Sequence, residues 1–434
     1  MSIGEIIRYI GFTGLDIMRA RKVSHHLDDL KAYFVDPLNH EVIQEKRKDQ
    51  FLKFACETVP YYKAYKEFSS VDDFPIIDKK VINETYDDFI SGAYNHSSLS
   101  VAITSGSYGT PTTYYHTQDK KARRSAEIIF FNRWAGYEIG MKHILVRARP
   151  KSALKLLAEN EILIRPIGMD SGWFKSQWQL LTKQRIKFII GYPSVLAALA
   201  IYYKNNYSSA EPFICEGIIS YAEPLFEDAR AVIEEVFNCP VISRYSSEEL
   251  GVIAHQCVSG GKYHLNFASY FIELLALNED RPVERSEPGR VIVTDLFSHA
   301  MPLIRYDTGD LAVLDEGCSC GLETPVFKRI DGRQAELIYD TNGRALSPLV
   351  IVTPIARTLK GIIQFQFIQK DLKYYIIRLA VYKSFPKDRV DLIKAKLLKV
   401  LGEDAEIGFE YVSAISPLPS GKRPYIINEY HNHT

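Results

Sequence analysis

The chain has 434 residues, of which 46% are hydrophobic and 24% charged, and its 53 Lys and Arg balance 53 Asp and Glu. This composition excludes the disordered, collagen-like and low-complexity classes, and a net charge of zero argues against nucleic-acid binding, which needs a basic surface. The length predicts about three structural units.

Cysteine content and hydropathy both indicate a cytoplasmic protein. Six cysteines are too sparse for a disulfide scaffold in a chain of this length. Because no uncharged apolar stretch of about 18 residues occurs, we expect no membrane span. We therefore expect partners that are small molecules rather than nucleic acids or a lipid core.

The predicted elements begin with helices over residues 1–60, where Ile3, Ile6, Ile7 and Ile10 share one helical face. A strand follows at 99–103. Further along, helical stretches alternate with short apolar runs, a pattern typical of parallel α/β layers. These helical stretches lie at 121–135, 151–159, 194–204 and 225–237.

The pattern of apolar runs and turn residues changes after these layers. Residues 262–315 indicate an antiparallel or barrel-like β region, and strands with one helix after residue 337 predict a small α+β unit. We therefore predict the α/β class. A large N-terminal region of layered α/β subdomains plus a small β region would span 1–332, and a small mobile α+β C-terminal domain would span 333–434.

Residues 104–111, TSGSYGTP, directly follow a predicted strand and combine two glycines with several hydroxyl groups. Backbone N–H groups and hydroxyls of such a loop can surround phosphate oxygens, and glycine lets the backbone approach them closely. The segment matches neither the P-loop nor the dinucleotide-loop pattern. Taken alone, it reads equally well as a polar surface turn.

Two further segments carry carboxylates beside other binding groups. In DTGD at 307–310, a carboxylate at a turn between strands can accept two ribose hydroxyls, although a plain β-turn is the favoured interpretation of these residues alone. In YSSEELG at 245–251, a ring precedes two carboxylates, which suits base stacking and Mg²⁺ binding. A strand end running into a helix start would explain that segment equally well.

A lysine near the end of the sequence follows a Ser-Gly turn, in PLPSGKR at 417–423. On a mobile unit, Lys422 could swing into a site. The alternative is a solvated basic loop, which is the usual place of such a lysine.

The order and spacing of these segments resemble the adenylate-forming superfamily, the acyl-CoA synthetases and their relatives, over nearly the whole chain. Within it, the chain is most similar to phenylacetate–CoA ligase-like proteins, including the CapK-like subgroup of capsular polysaccharide biosynthesis. Other segments that resemble this family are VPYY at 59–62, FPIIDK at 74–79, GYPS at 191–194, YAEP at 221–224 and a hinge at 329–333.

The resemblance implies a reaction in two steps. A carboxylate attacks the α-phosphorus of Mg-ATP to give an acyl-adenylate and pyrophosphate, and a thiol, amine or hydroxyl acceptor then displaces AMP. Such chemistry needs no protein nucleophile, only positioning and charge stabilisation. The implied cofactors are ATP, Mg²⁺ and, for a thiol acceptor, CoA.

The resemblance also implies roles for single residues. Lys422 would bridge the carboxylate and the α-phosphate, and Glu249 would bind Mg²⁺, with Glu248 as second choice. The implied catalytic set is Lys422, Glu249 and Thr104. The triphosphate would be held by Thr104, Ser105, Gly106, Ser107, Gly109 and Thr110. The contacts to adenine and ribose would come from Ala222, Glu223, Tyr245, Ser246, Asp310 and Arg329.

The acyl pocket is implied to be flat and apolar with a hydroxyl rim, formed by Tyr108, Tyr192, Ile219 and Tyr221. Some positions depart from the family pattern. Tyr108 stands where threonine is usual, and Ser246 stands where glycine is usual, but neither change removes a charge that the chemistry needs. The hinge at 332–336 lacks the usual aspartate pair, so no single hinge residue is assigned.

A separate group of potential metal ligands consists of Cys257, His264, Cys318 and Cys320. Three thiols and one imidazole suit tetrahedral Zn²⁺, and similar cysteines occur in the polysaccharide-linked subgroup. The alternative is a set of cysteines without metal, since Cys-Ser-Cys-Gly is also a plain turn.

Three functions fit the sequence. An acid–thiol ligase would make acyl-CoA, and a related ligase would pass its acyl group to an amine such as an aminosugar or amino acid. A nucleotide-binding interaction subunit without turnover is the third, although Lys422, Glu249 and Asp310 oppose it. The acid, the acceptor and a homodimeric state are not determined by the residues.

Overall fold

The computed structural model describes residues 2–104, 112–167, 169–184, 186–207, 215–259, 261–284, 287–333, 337–346, 348–356, 362–381, 385–386, 388–416 and 423–430. The chain divides into two compact units. Unit 1 contains Met1–Lys142, Ala153–Glu161 and Ile242–Ile330, and unit 2 contains His143–Ser152, Ile162–Val241 and Asp331–Thr434. The predicted α/β class is confirmed.

Most helices lie close to the predicted positions, but the helices at Ser171–Lys183 and Pro348–Ala356 were not predicted. Those of unit 1 are α1 (Ile3–Met18), α2 (Lys22–Val35), α3 (Pro37–Thr58), α4 (Lys79–Glu84), α5 (Gln118–Trp134) and α6 (Ala153–Glu159). Those of unit 2 are α7 (Ser171–Lys183), α8 (Pro193–Asn206), α9 (Glu227–Phe237), α10 (Pro348–Ala356) and α11 (Asp388–Leu401). Across the described ranges, every helix is too short or too polar to cross a lipid bilayer.

Unit 1 contains a hairpin of β1 (Ser100–Ile103) and β2 (Thr113–His116) and a larger, twisted sheet. The strands of that sheet are β7 (Val241–Ser247), β8 (Gly251–Gln256), β9 (Tyr263–Leu265), β10 (Tyr270–Leu275), β11 (Pro288–Asp295), β12 (Tyr306–Asp315) and β13 (Val326–Arg333). Their order is β10-β11-β12-β13-β9-β8-β7. The antiparallel pairing of β10, β11 and β12 confirms the predicted antiparallel region.

Unit 2 contains the predicted parallel layer. Its strands are β3 (His143–Val146), β4 (Glu161–Ile164), β5 (Phe188–Gly191) and β6 (Gly217–Tyr221), in the order β6-β5-β3-β4. β5 pairs in parallel with both β3 and β6. Apolar side chains of these strands pack with those of α7, α8 and α9 in one buried cluster, which explains why the strands read as short continuous apolar runs.

The remaining part of unit 2 is the small α+β region predicted from the sequence. Its strands are β14 (Ile338–Tyr339), β15 (Ala345–Leu346), β16 (Ile362–Gln369), β17 (Tyr374–Val381), β18 (Glu406–Tyr411) and β19 (Ile426–Asn428). Four of them form a sheet in the order β18-β17-β16-β19, over which α10 and α11 bury a shared apolar core. The boundary at residue 333 and the mobility of this region stay predictions.

Candidate active site

A tight hairpin turn between β7 and β8 carries Glu248 and Glu249. Gly251 makes this turn feasible, because its φ is +125° and a Cβ there would lie 2.6 Å from a carboxylate oxygen of Glu127. The two glutamates differ sharply in environment. Glu249 is 5% exposed, whereas 57% of the Glu248 side chain is exposed. The alternative of a strand running into a helix start is wrong here, because the chain returns as β8.

The carboxylate of Glu249 lies against a phenol and an ammonium group. The hydroxyl of Tyr306 donates to Oε1 over 3.0 Å, and Nζ of Lys79 lies 3.4 Å from the same oxygen. The Tyr114 hydroxyl is 3.4 Å from that of Tyr306. Burial, and then the charge of Glu249, raise the pKa of Tyr306, so its phenol remains protonated and donates. These contacts orient the carboxylate, and a carboxylate can accept several hydrogen bonds or bind a cation at the same time.

The side chains of Tyr245 on β7 and Asp310 on β12 are in contact within unit 1. The Tyr245 hydroxyl donates to Oδ2 of Asp310 over 2.7 Å and lies 3.4 Å from Oγ1 of Thr308. The predicted turn at 307–310 is wrong in detail, because these residues belong to β12. The register of β12 against β11 is irregular there, and Gly309 has a φ of +72°. This bulge lets both Thr308 and Asp310 reach the same hydroxyl.

The other nucleotide residues predicted in unit 1 have simpler surroundings. Thr104 is buried, and its backbone and hydroxyl pair with Thr112, so the two threonines hold together the ends of the segment between them. Ser246 and Arg329 are half-buried on β7 and β13. The predicted phosphate-loop residues lie outside the described residues: Ser105, Gly106, Ser107, Tyr108, Gly109 and Thr110.

In unit 2, Glu223 accepts two backbone hydrogen bonds. One comes from the N–H of Ser194 in the first turn of α8, over 3.1 Å, and the other from the N–H of Arg423, over 3.4 Å. A carboxylate at a helix N-terminus also interacts favourably with the helix dipole. Lys422 lies outside the described residues, but its neighbour Arg423 is thus placed beside Glu223. The preceding residue, Ala222, has a φ of +67°, which is uncommon for a residue with a Cβ.

Of the predicted acyl-pocket residues in unit 2, Tyr192 and Tyr221 lie at the carboxyl ends of β5 and β6. The rings of Tyr192 and Tyr221 are 5.2 Å apart, and the Tyr221 hydroxyl donates to the carbonyl of Val146 over 3.0 Å. Ile219 is fully buried in β6. The structure therefore brings together Tyr192 and Tyr221.

The four potential zinc ligands converge in unit 1. The ligand atoms of Cys257, His264, Cys318 and Cys320 all lie within 4.8 Å of one another. The Sγ atoms of Cys257 and Cys318 are 3.3 Å apart, and Sγ of Cys320 is 3.3 Å from Nε2 of His264. These separations compare with about 3.8 Å between thiolates around tetrahedral zinc, given Zn–S bonds of about 2.3 Å. The donor set therefore fits Zn²⁺.

The protonation states of this cluster also suit a metal. Burial lowers the pKa of His264 to about 4, so the imidazole is neutral near pH 7. Its Nδ1 lies 2.6 Å from the Thr324 hydroxyl, and a proton on Nδ1 would leave the Nε2 lone pair facing the thiols. Burial raises the pKa of Cys318, but hydrogen bonds from Cys320 and Cys257 outweigh it and bring the pKa below its ordinary value.

Comparison with known proteins finds similarity over the C-terminal part and over nearly the whole chain. Residues 338–429 match the CapK C-terminal domain. The chain is 24% identical to Protein CapK of Staphylococcus aureus over 447 residues, which cover 96% of both chains. It is 26% identical to a phenylacetate-coenzyme A ligase of Thermus thermophilus over 317 residues, covering 68% of this chain and 71% of the relative.

The fold has counterparts among solved structures. The 2-hydroxyisobutyryl-CoA ligase in its postadenylation state, in complex with R3-HIB-AMP, superposes with a TM-score of 0.72 at 16% identity and covers 89% of this chain and 88% of that chain. The same ligase with 2-HIB-AMP and CoA, in the thioesterification state, gives a TM-score of 0.59 over 90% of each chain. These similarities support the predicted resemblance to the adenylate-forming, CoA-ligase-like superfamily.

Sequence reasoning missed the partners of Glu249. Lys79 lies inside a segment that resembles the family and Tyr306 directly precedes the segment at 307–310, yet neither was assigned a role. Arg423 was likewise overlooked beside Lys422. For Arg423, the available signal was its position next to Lys422. The sequence offered no signal for the contacts of Tyr306 and Lys79 with Glu249, because only tertiary packing brings these residues together.

Proposed function

We propose that this chain is an ATP-dependent ligase that activates a carboxylic acid and transfers it to the thiol of CoA. In the first step, a carboxylate oxygen of the acid bonds to the α-phosphorus of ATP while the bond to pyrophosphate breaks. In the second, the sulfur of CoA attacks the acyl carbon, the bond to AMP breaks and the thiol proton is released. We also propose that the enzyme acts in the cytoplasm.

The observation that carries the proposal is the hydrogen bond between Tyr245 and Asp310. A tyrosine ring offers a face for adenine, and a carboxylate offers acceptors for ribose hydroxyls. A carboxylate has about four lone-pair sites, so Asp310 can accept hydrogen bonds from a ribose in addition to that from Tyr245. Thr308 fixes the bulge on which Asp310 sits, through a hydrogen bond from its hydroxyl to the carbonyl of Val291 over 2.9 Å.

Glu249 is the group best suited to Mg²⁺. Mg²⁺ is usually held by one or two carboxylates together with phosphate oxygens, and Glu249 is a buried carboxylate already oriented by Tyr306. A metal there would neutralise charge on the triphosphate during displacement. Lys422 would supply the second positive charge, on the oxygens of the acid and the α-phosphate.

The choice of CoA as acceptor is supported by the relatives. Similarity in sequence and similarity in fold both point to proteins described as CoA ligases. The ligase structure in the thioesterification state holds both an acyl-adenylate and CoA. The similarity to CapK, a name that specifies no acceptor, keeps an amine acceptor as an outcome of the test below.

A pyrophosphate-release screen over aryl and short-chain acids, with and without CoA, tests the proposal. We expect release that depends on ATP, Mg²⁺ and one class of acid, followed by AMP release that needs CoA. Transfer to an aminosugar or amino acid without CoA would assign the amine acceptor. No release with any acid would contradict an adenylating function and favour a nucleotide-binding subunit.

The Tyr245→Phe variant checks the nucleotide site. It keeps the ring but removes the hydroxyl that bonds to Asp310, and one such hydrogen bond is worth about 1 kcal/mol. We expect the KM for ATP to rise about fivefold with little change in kcat, measured by pyrophosphate release. Tyr411→Phe, at a residue that is 56% exposed, is the matched control. An unchanged KM in Tyr245→Phe would argue against this site.

We further propose that Cys257, His264, Cys318 and Cys320 hold a structural Zn²⁺. Elemental analysis of the purified protein should find about one zinc per chain, because a Cys₃His set completes tetrahedral coordination. Cys318→Ser should lose most of the metal and lower the melting temperature. Cys56→Ser, which removes a buried thiol outside the cluster, should keep the metal. Wild-type protein without stoichiometric zinc would refute the assignment.

A further inference from the structure

The first helix, α1, presents an unusually apolar surface to solvent. We call it the α1 surface and define it by its exposed large side chains: Ile3, Ile6, Ile7, Tyr9, Ile10, Leu15, Ile17 and Met18. Several are largely uncovered, such as Ile3 at 79% and Met18 at 84% exposed. They extend over all 16 residues of the helix, a length of about 24 Å.

The acidic side chains of α1 point away from this surface. Glu5 is 3% exposed and Asp16 is 4% exposed. The Glu5 carboxylate accepts from the N–H of Ser2, and that of Asp16 accepts from the N–H groups of Val23 and Ser24 at the start of α2. Both acidic side chains of this helix are therefore hydrogen-bonded within unit 1, and the exposed side of α1 carries no negatively charged side chain.

Basic and apolar groups border the α1 surface. Arg19, Arg21 and Lys22 are exposed and follow α1 directly. On the other flank, Nε of Arg8 donates to the carbonyl of Leu157 in α6 over 3.1 Å. That contact places α6 beside α1. α6 carries two further exposed apolar side chains, Leu154 and Leu157, which are 81% and 67% exposed.

We propose that the α1 surface docks on an anionic lipid bilayer, with α1 lying in the interface. An amphipathic helix with apolar side chains on one side and basic side chains at its border is the chemistry that such a surface recognises. A second copy of this chain is a poorer partner for the α1 surface, because α1 exposes no acidic side chain that could pair with Arg19, Arg21 and Lys22 of that copy. The proposal is independent of the ligase chemistry.

Vesicle co-sedimentation with the full chain tests this docking. We expect binding to phosphatidylcholine vesicles that contain about a third phosphatidylglycerol, weak binding to phosphatidylcholine alone, and weakening with added salt. Neutralising Arg19, Arg21 and Lys22 with glutamine should reduce the partition coefficient about 100-fold, since each basic group near such a surface contributes about fivefold. Lys31→Gln, Arg344→Gln and Lys373→Gln together give the control with the same charge change.

A second variant tests the apolar part. Ile3→Ser, Ile7→Ser and Ile10→Ser together should abolish vesicle binding while leaving pyrophosphate release and circular dichroism unchanged. The control replaces three exposed apolar residues on other helices by serine: Ile128, Val350 and Leu392. Equal binding by the isoleucine variant and this control would overturn the proposal. The proposal would also be overturned if the wild-type protein formed a dimer, did not bind vesicles, and became monomeric in the isoleucine variant. That result would assign the α1 surface to a second copy.

Discussion

Replacing Lys422 by alanine is expected to lower the rate of pyrophosphate release about a thousandfold. The lysine is proposed to contact oxygens whose charge changes as the acid attacks the α-phosphorus, and removal of one such group typically costs 10²- to 10³-fold in rate. ATP binding should change little, because the other nucleotide contacts remain. Rapid-quench measurement of acyl-adenylate formation, with a separate binding measurement for ATP, distinguishes the two effects.

The matched control for this variant is Lys373→Ala. Its side chain is 56% exposed and pairs with Asp404 on the surface, so its removal should leave the rate within about twofold. Undiminished pyrophosphate release by Lys422→Ala would remove this lysine from the mechanism, whereas a loss in both variants would indicate a general effect of removing positive charge.

Replacing Glu249 by glutamine is expected to reduce kcat/KM for Mg-ATP about a hundredfold. The substitution keeps the size of the side chain but removes the negative charge that would hold Mg²⁺. The magnesium concentration needed for half-maximal rate should rise at the same time. Titration of the rate with Mg²⁺ at fixed ATP provides the measurement.

The adjacent glutamate offers a control on the same turn. Glu248 has the same chemistry, but its side chain is 57% exposed, and the guanidinium group of Arg124 is 3.9 Å away. Glu248→Gln should therefore keep nearly the full rate. A severe effect of Glu248→Gln together with a mild effect of Glu249→Gln would move the metal ligand to the other residue.

The layers of the fold were predictable because they depend on local periodicity. Apolar runs such as Ile189 and Ile190 are buried on both faces of the parallel layer, and the helices between them end within a few residues of the predicted limits. α7 was not predicted. Its start had a recognisable signal, since the Asp170 side chain accepts from the N–H of Trp173 as an N-cap.

The candidate site was predictable in its motifs but not in its geometry. Local turn chemistry suggested a turn at 307–310 and a helix start after Ser247, whereas the chain forms a bulge and a hairpin there. The pairing of β7 with β8 and of β12 with β11 decides both outcomes, and turn chemistry alone does not reveal this pairing. The same holds for the contacts of Glu249 with Lys79 and Tyr306, which are brought together only by tertiary packing.

The ion pair between Lys79 and Glu249 has a consequence for the resting enzyme. An isolated carboxylate in a buried position would be costly to keep ionised, and Lys79, whose side chain is 30% exposed, supplies the compensating charge at 3.4 Å. A cation that binds Glu249 would take over that compensation and repel the ammonium group. Binding of the metal nucleotide would then be a cation exchange: one positive charge leaves the carboxylate as another arrives, and Lys79 becomes available to the incoming phosphates.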